Sequence, residues 1–111
     1  MMKVNVQSIH FNADAKLIDF IEKKLQRLSR YFNQNKSIEA DVFLKLQDTG
    51  SQIHEKIIEI KLHVPGGWVI DKKTGSTFEA AITASADTLK RQLLRHKEKT
   101  TTHQHVRLTD L

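Results

Sequence analysis

Ile38-Glu39-Ala40-Asp41-Val42-Phe43-Leu44-Lys45-Leu46 puts Ile38, Ala40, Val42, Leu44 and Leu46 on one parity and Glu39, Asp41, Phe43 and Lys45 on the other. Successive side chains of a strand point to opposite faces, so this stretch predicts a strand with one apolar face. Such a face has to be covered. Downstream, Ile58, Ile60, Leu62 and Val64 repeat the pattern, and Pro65-Gly66-Gly67 marks a tight turn. Trp68 to Lys73 then reads as a shorter strand, which makes the two runs a hairpin. The polar segment Gln47 to His54, with Gly50, reads as the loop before it. Upstream, Lys3 to His10 reads as a short strand with Val4 and Val6 on one face.

The cover comes from two helices. Asp14 is the expected N-cap of the first, which should run from about Ala15 to Phe32 and end at Asn33-Gln34-Asn35. Leu17, Ile21, Leu25, Leu28 and Phe32 recur at the three- and four-residue steps of one buried helical face. Thr74-Gly75-Ser76 is a break, and Ser76 or Thr77 can cap a last helix from about Phe78 to Lys99. Its inner face would hold Phe78, Ile82, Ala86, Leu89 and Leu93. Thr100 to Leu111 shows no periodicity. The expected organisation is one domain over residues 1–100 and a flexible tail over 101–111. The order β-α-β-β-β-α predicts an α+β fold: a four-stranded, mainly antiparallel sheet with both helices packed on one face. The first two strands are joined through a helix, so that pair should be parallel if adjacent.

A chain of 111 residues has room for one such core. Its 39% hydrophobic and 28% charged residues describe a globular protein. With no cysteine, disulfides and thiolate metal sites are excluded. Met1 to Phe11 alternates like a strand and lacks the apolar run of a signal peptide. No stretch approaches the roughly 18 apolar residues of a membrane span. The expected location is the cytoplasm, with no membrane partner.

The net charge of +5 points towards polyanions, and its placement sharpens this. On a helical wheel, Lys16, Lys23, Arg27 and Arg30 fall in a stripe roughly 60° wide, away from Ile21 and Leu25. In the last helix Arg91, Arg95 and Lys99 fall opposite Leu89 and Leu93, while Lys90 and Lys97 flank the core edge. Basic residues near a helix C-terminus also suit the helix dipole, and any helix exposes charge. Two helices side by side on one sheet face, however, would aim both stripes the same way, and like charges so gathered repel unless a polyanion is bound. The pattern therefore favours nucleic acid; the alternatives are a generic structured-RNA-binding module and a regulator that binds an acidic protein. Lys72 and Lys73 fit the protection of a sheet edge better than an extension of that surface. Trp68 could stack on a base, but a single aromatic at a turn more often caps the core. Tyr31 and Phe32 read as core or core edge.

Catalytic constellations are missing: no P-loop, no GxSxG, no HExxH and no cysteine nucleophile. Glu55, Glu59 and Asp71, which could neighbour one another across the hairpin, read as surface carboxylates. The six histidines are scattered, and His103-Gln104-His105 has no third ligand near it. Neither an enzyme, a metal, a cofactor nor a small-molecule substrate is expected.

Two segments carry a family resemblance. Phe20-Ile21-Glu22-Lys23-Lys24-Leu25-Gln26-Arg27-Leu28-Ser29-Arg30-Tyr31-Phe32 is similar to a helix written F-x-x-x-K-x-x-K-L-x-x-Y-F. Ala80-Ala81-Ile82, followed by Leu89-Lys90-Arg91-Gln92-Leu93-Leu94-Arg95-His96-Lys97-Glu98-Lys99, is similar to A-A-I and R-Q-L-x-K-H-K-x-K. Over about residues 2 to 100 the sequence resembles the ribosome hibernation promoting factors and the related ribosome-associated inhibitor A, the sigma-54 modulation family, in its short form. Thr83 departs from an Asp that often follows A-A-I, and Lys72-Lys73 stand on a strand that is often acidic or neutral. The resemblance implies a fold akin to a double-stranded RNA-binding domain. It implies a partner, the small ribosomal subunit and its rRNA, in the channel for messenger and transfer RNA, and translation silenced under starvation or in stationary phase. It carries an RNA-binding role onto Lys24, Arg27, Lys90, Arg91, Arg95, His96, Lys97 and Lys99; the wheel adds Lys16, Lys23 and Arg30. A monomer is the expected state.

Overall fold

The computed structural model describes the backbone of residues 2–31, 38–48, 54–64 and 66–110, and their side chains as far as Arg95, those of Asp48 and His54 excepted. In chain order the elements are β1 (Met2–Ser8), α1 (Ala15–Gln26), β2 (Ile38–Asp48), β3 (His54–Val64), β4 (Gly67–Gly75) and α2 (Phe78–Asp110), with a 3-10 turn at Arg27–Tyr31 after α1. The strands form one sheet in the order β1-β2-β3-β4. β1 and β2 are parallel, with Val4 beside Ala40; β2–β3 and β3–β4 are antiparallel, with Ala40 beside Leu62 and Leu62 beside Val69. This is the α+β architecture that the alternation predicts.

One face of the sheet is apolar and lies under both helices. Ala40, Val42, Leu44, Ile58, Ile60 and Leu62 are fully buried there, against Ile21 and Leu25 of α1 and Ile82 and Leu89 of α2. Each such side chain removed from water contributes roughly 1.5–3 kcal/mol, so this layer is what fixes the helices in place. Asp14 caps α1, its Oδ1 accepting from the Leu17 N–H at 2.7 Å. Thr77 caps α2, its Oγ1 accepting from the Ala80 N–H at 3.0 Å. The Phe11 and Phe78 rings stack at 5.4 Å and join the start of α2 to the segment before α1. Gly66 makes the β3–β4 turn at φ +89°, where a side chain would be strained.

Four features differ from the sequence expectation. α1 is α-helical only to Gln26 and tightens into the 3-10 turn. Leu25, Leu28 and Tyr31 stand three apart, a spacing the three-residue repeat keeps on one face, and Ser29 Oγ donates to Gln26 O at 2.6 Å across it. Phe32 and the expected helix end at 33–35 lie outside the described residues. Trp68 does not cap the core: it is 51% exposed on the open face, because Val69 and Asp71 take the inward parity of β4. Asp71, for its part, is no surface carboxylate: it is buried and accepts from Ser85 Oγ at 2.7 Å and Lys73 Nζ at 2.9 Å. α2 continues as helical backbone past Lys99 to Asp110. The side chains from His96 onward, and Leu111 altogether, lie outside the described residues. No helix among the described residues is long and apolar enough to cross a membrane.

Candidate nucleic-acid interface

The two helices lie side by side on the sheet with a groove of about 830 Å³ between them. α2 opens the groove with small residues. Ala80, Thr83, Ala84 and Asp87 follow one another at helical spacing and leave room that larger side chains would fill. From α1 and its 3-10 turn come Lys24, Arg27, Leu28, Arg30 and Tyr31. Lys90 closes the same end from α2, and Glu79 and Asp87 also line the groove.

Four of the sequence-derived candidates therefore converge: Lys24, Arg27, Arg30 and Lys90. The 3-10 turn contributes directly, since residues three apart eclipse in it and Arg30 stands over Arg27, its Nε donating to Arg27 O at 3.2 Å. Tyr31 is the hub. Its ring packs on the core, with the Arg30 guanidinium 5.9 Å and the Lys90 ammonium 6.0 Å from its centroid. Lys24 is half-buried, with its ammonium 5.5 Å over the Phe20 ring, so its stem packs while its head stays near the surface. None of these four makes an ion pair among the described residues.

The other candidates are set apart. Lys23 pairs with Asp19 at 2.9 Å on the outer side of α1. Arg91 lies 3.9 Å from Asp87 and 3.4 Å from Thr88 Oγ1, both on its own helix. Lys16, in the first turn of α1, is eleven residues before Arg27, roughly 16 Å along a helix axis. Arg95 is exposed further along α2, and the side chains of His96, Lys97 and Lys99 lie outside the described residues. Sequence reasoning missed the alanine-rich floor and the role of Tyr31. The signal was present, in small residues at three- and four-residue steps along α2 beside the core stripe. Among the described residues no group of three or more histidines, cysteines or carboxylates could hold a metal.

The chain matches the family model described as sigma 54 modulation protein / S30EA ribosomal protein over residues 4–101. It belongs to that family. A ribosome hibernation promoting factor of Azotobacter vinelandii is 35% identical over 98 residues, 88% of this chain and 85% of the relative. One from Pseudomonas putida is 34% identical over 98 residues, 88% and 89% of the two chains. In structure, the N-terminal domain of Thermus thermophilus Protein Y superposes with a TM-score of 0.73 at 29% identity, over 86% of this chain and 99% of that domain.

Proposed function

We propose that this chain is a ribosome-binding hibernation factor that idles the small subunit by occupying its mRNA and tRNA channel, with the helix face against ribosomal RNA. The observation that carries this reading is the groove where Lys24, Arg27, Arg30 and Lys90 gather without a counter-charge in ion-pair range among the described residues. Such a cluster repels itself in the free protein, and a phosphate backbone relieves the repulsion. Arginine forks can grip phosphates with two bonds each, and lysines add point charges. Lys16, Lys23, Arg91 and Arg95 extend the positive surface around the groove, and His96, Lys97 and Lys99 carry it along the sequence of α2. Residues 1–100 form the ribosome-binding domain and act as a monomer in the cytoplasm. The work is steric, and no bond is made or broken. The relatives are named for promoting ribosome hibernation, which supports the ribosome as the partner of this chain.

The test is sedimentation with ribosomes through a sucrose gradient, wild type beside Arg27→Glu/Arg30→Glu/Lys90→Glu. All three positions are exposed, so the variant keeps its core. Wild type should travel with the small subunit or the whole ribosome, and the variant should stay at the top. Each lost phosphate contact should also flatten the dependence of log affinity on log salt by about one unit. A variant that co-sediments like wild type would remove the helix face from the interaction. Equally tight binding of wild type to any free structured RNA would reduce the reading to a general RNA-binding module.

A further inference from the structure

The open face of the sheet carries a cluster that the helix-face reading does not use. Trp68 stands directly opposite His63 in the β3–β4 ladder. Its indole leans across β3, with the His63 ring centroid 3.5 Å away at a 54° tilt and the Lys61 ammonium 3.7 Å from the indole centroid. The ring is thus held by two neighbours and still 51% exposed. Ile70, on the same face two residues further, is 60% exposed. Around them Lys45, Lys61 and Lys72 stand among Glu39, Asp41 and Glu59, and the acids are taken up by neighbours. Lys45 and Lys72 share the single carboxylate of Glu59, at 3.0 and 3.7 Å, and Lys61 lies on the indole. Asp41 is already engaged by Asn5 and His63.

We infer that this patch is a stacking platform for an unpaired base of single-stranded RNA, with Trp68 beneath the base, Ile70 beside it, and Lys61 and Lys72 on the flanking phosphates. Every base has a π-face, and an exposed, fixed aromatic among lysines on an open sheet is what stacking recognition needs. An apolar protein partner is the poorer fit, since interface centres shed lysine, and here one ammonium sits against the ring. The inference goes beyond the helix-face reading and stands whichever RNA that groove takes.

Trp68 is the chain's one tryptophan, so its emission reports on this patch alone. The experiment is a titration at low salt with a labelled single-stranded oligoadenylate, following both tryptophan emission and probe anisotropy. Wild type should show saturable quenching, and so should Arg27→Glu/Arg30→Glu/Lys90→Glu, whose sheet face is intact. Trp68→Ala should weaken the anisotropy-measured affinity about five- to a hundredfold, the range for loss of one stacked base. Trp68→Phe should stay within a few-fold of wild type. Unchanged emission at saturating oligonucleotide, wild-type affinity in Trp68→Ala, or no binding at all would each overturn the inference. The first two would place the oligonucleotide on the helix groove and leave the patch to an acidic protein segment.

Discussion

On the open face of the sheet, Lys45 and Lys72 share Glu59 and His63 sits 3.2 Å from Asp41. On the helix side, Lys24, Arg27, Arg30 and Lys90 crowd one groove and make no ion pair among the described residues. The first face pairs its lysines across strands, bonds that are modest in energy, and what it leaves exposed is an aromatic ring rather than a crowd of unpaired cations. The second keeps its repulsion. It can do so because both helices are held by buried residues beneath them, so the core supplies the stability that the surface gives up. The difference marks the helix face as the one that draws a polyanion by charge and the open face as one suited to stacking, and it says where each face is vulnerable.

The largest way to break the comparison is through that core. Leu89 is fully buried on α2, the helix that covers β3 and β4 and forms one wall of the groove. Leu89→Ala should cost about 2–5 kcal/mol, read as a lower urea midpoint. Ribosome association should weaken with it, because Lys90 is the next residue on the loosened helix. Unchanged stability would mean that α2 is held by something other than its apolar stripe.

The sheet was legible because period two survives in any context where one face is buried; the alternation of Ile38 to Leu46 settles both the strand and its buried side. The parallel first pair followed from a helical connection, and the Asp14 cap from residue type at the helix start. What could not be read depends on a neighbour. A wheel drawn for α1 alone orders Lys16, Lys23, Arg27 and Arg30 around its own axis, but the position of α2 decides that Arg27 and Arg30 meet Lys90 while Lys23 turns to Asp19. Spacings of three fit both an α-helix and a 3-10 turn, so Leu25, Leu28 and Tyr31 did not betray the tightening. Trp68 was misplaced by its position at a turn, although Val69 already held the inward parity.

A second change sharpens the comparison by acting on the helix face alone. The Gln26 side chain donates from Nε2 to Met2 O at 2.6 Å and accepts from the Met2 N–H at 3.2 Å on Oε1. It thereby pins the end of α1 to β1 where the 3-10 turn begins. Gln26→Ala should cost about 1–2 kcal/mol, the net worth of two partly buried hydrogen bonds. It should also reduce RNA affinity several-fold by letting Arg27 and Arg30 wander, while Trp68 emission stays that of wild type. A change in that emission would show that the two faces are coupled through the sheet.

The smallest effect belongs to the open face and comes from pH. The Asn5 amide, donating to Asp41 Oδ1 at 3.1 Å, together with His63, holds the Asp41 carboxyl below the usual carboxylate range, against the opposing effect of burial. A depressed folded-state value means that the ionised carboxylate stabilises the fold at pH above its unfolded value of about 3.9. That contribution disappears as pH falls through the lower, folded value. Solvent screening of a partly exposed group limits it to less than about 1 kcal/mol. Comparing wild type with Asp41→Asn by urea unfolding should therefore show a small deficit for the variant at neutral pH that closes in acid. The same Asp41→Asn difference should appear in the helix-face variant background, since none of its substituted residues touches Asp41. If instead that difference changes with the helix-face charges, the open face is not independent of the repulsive one.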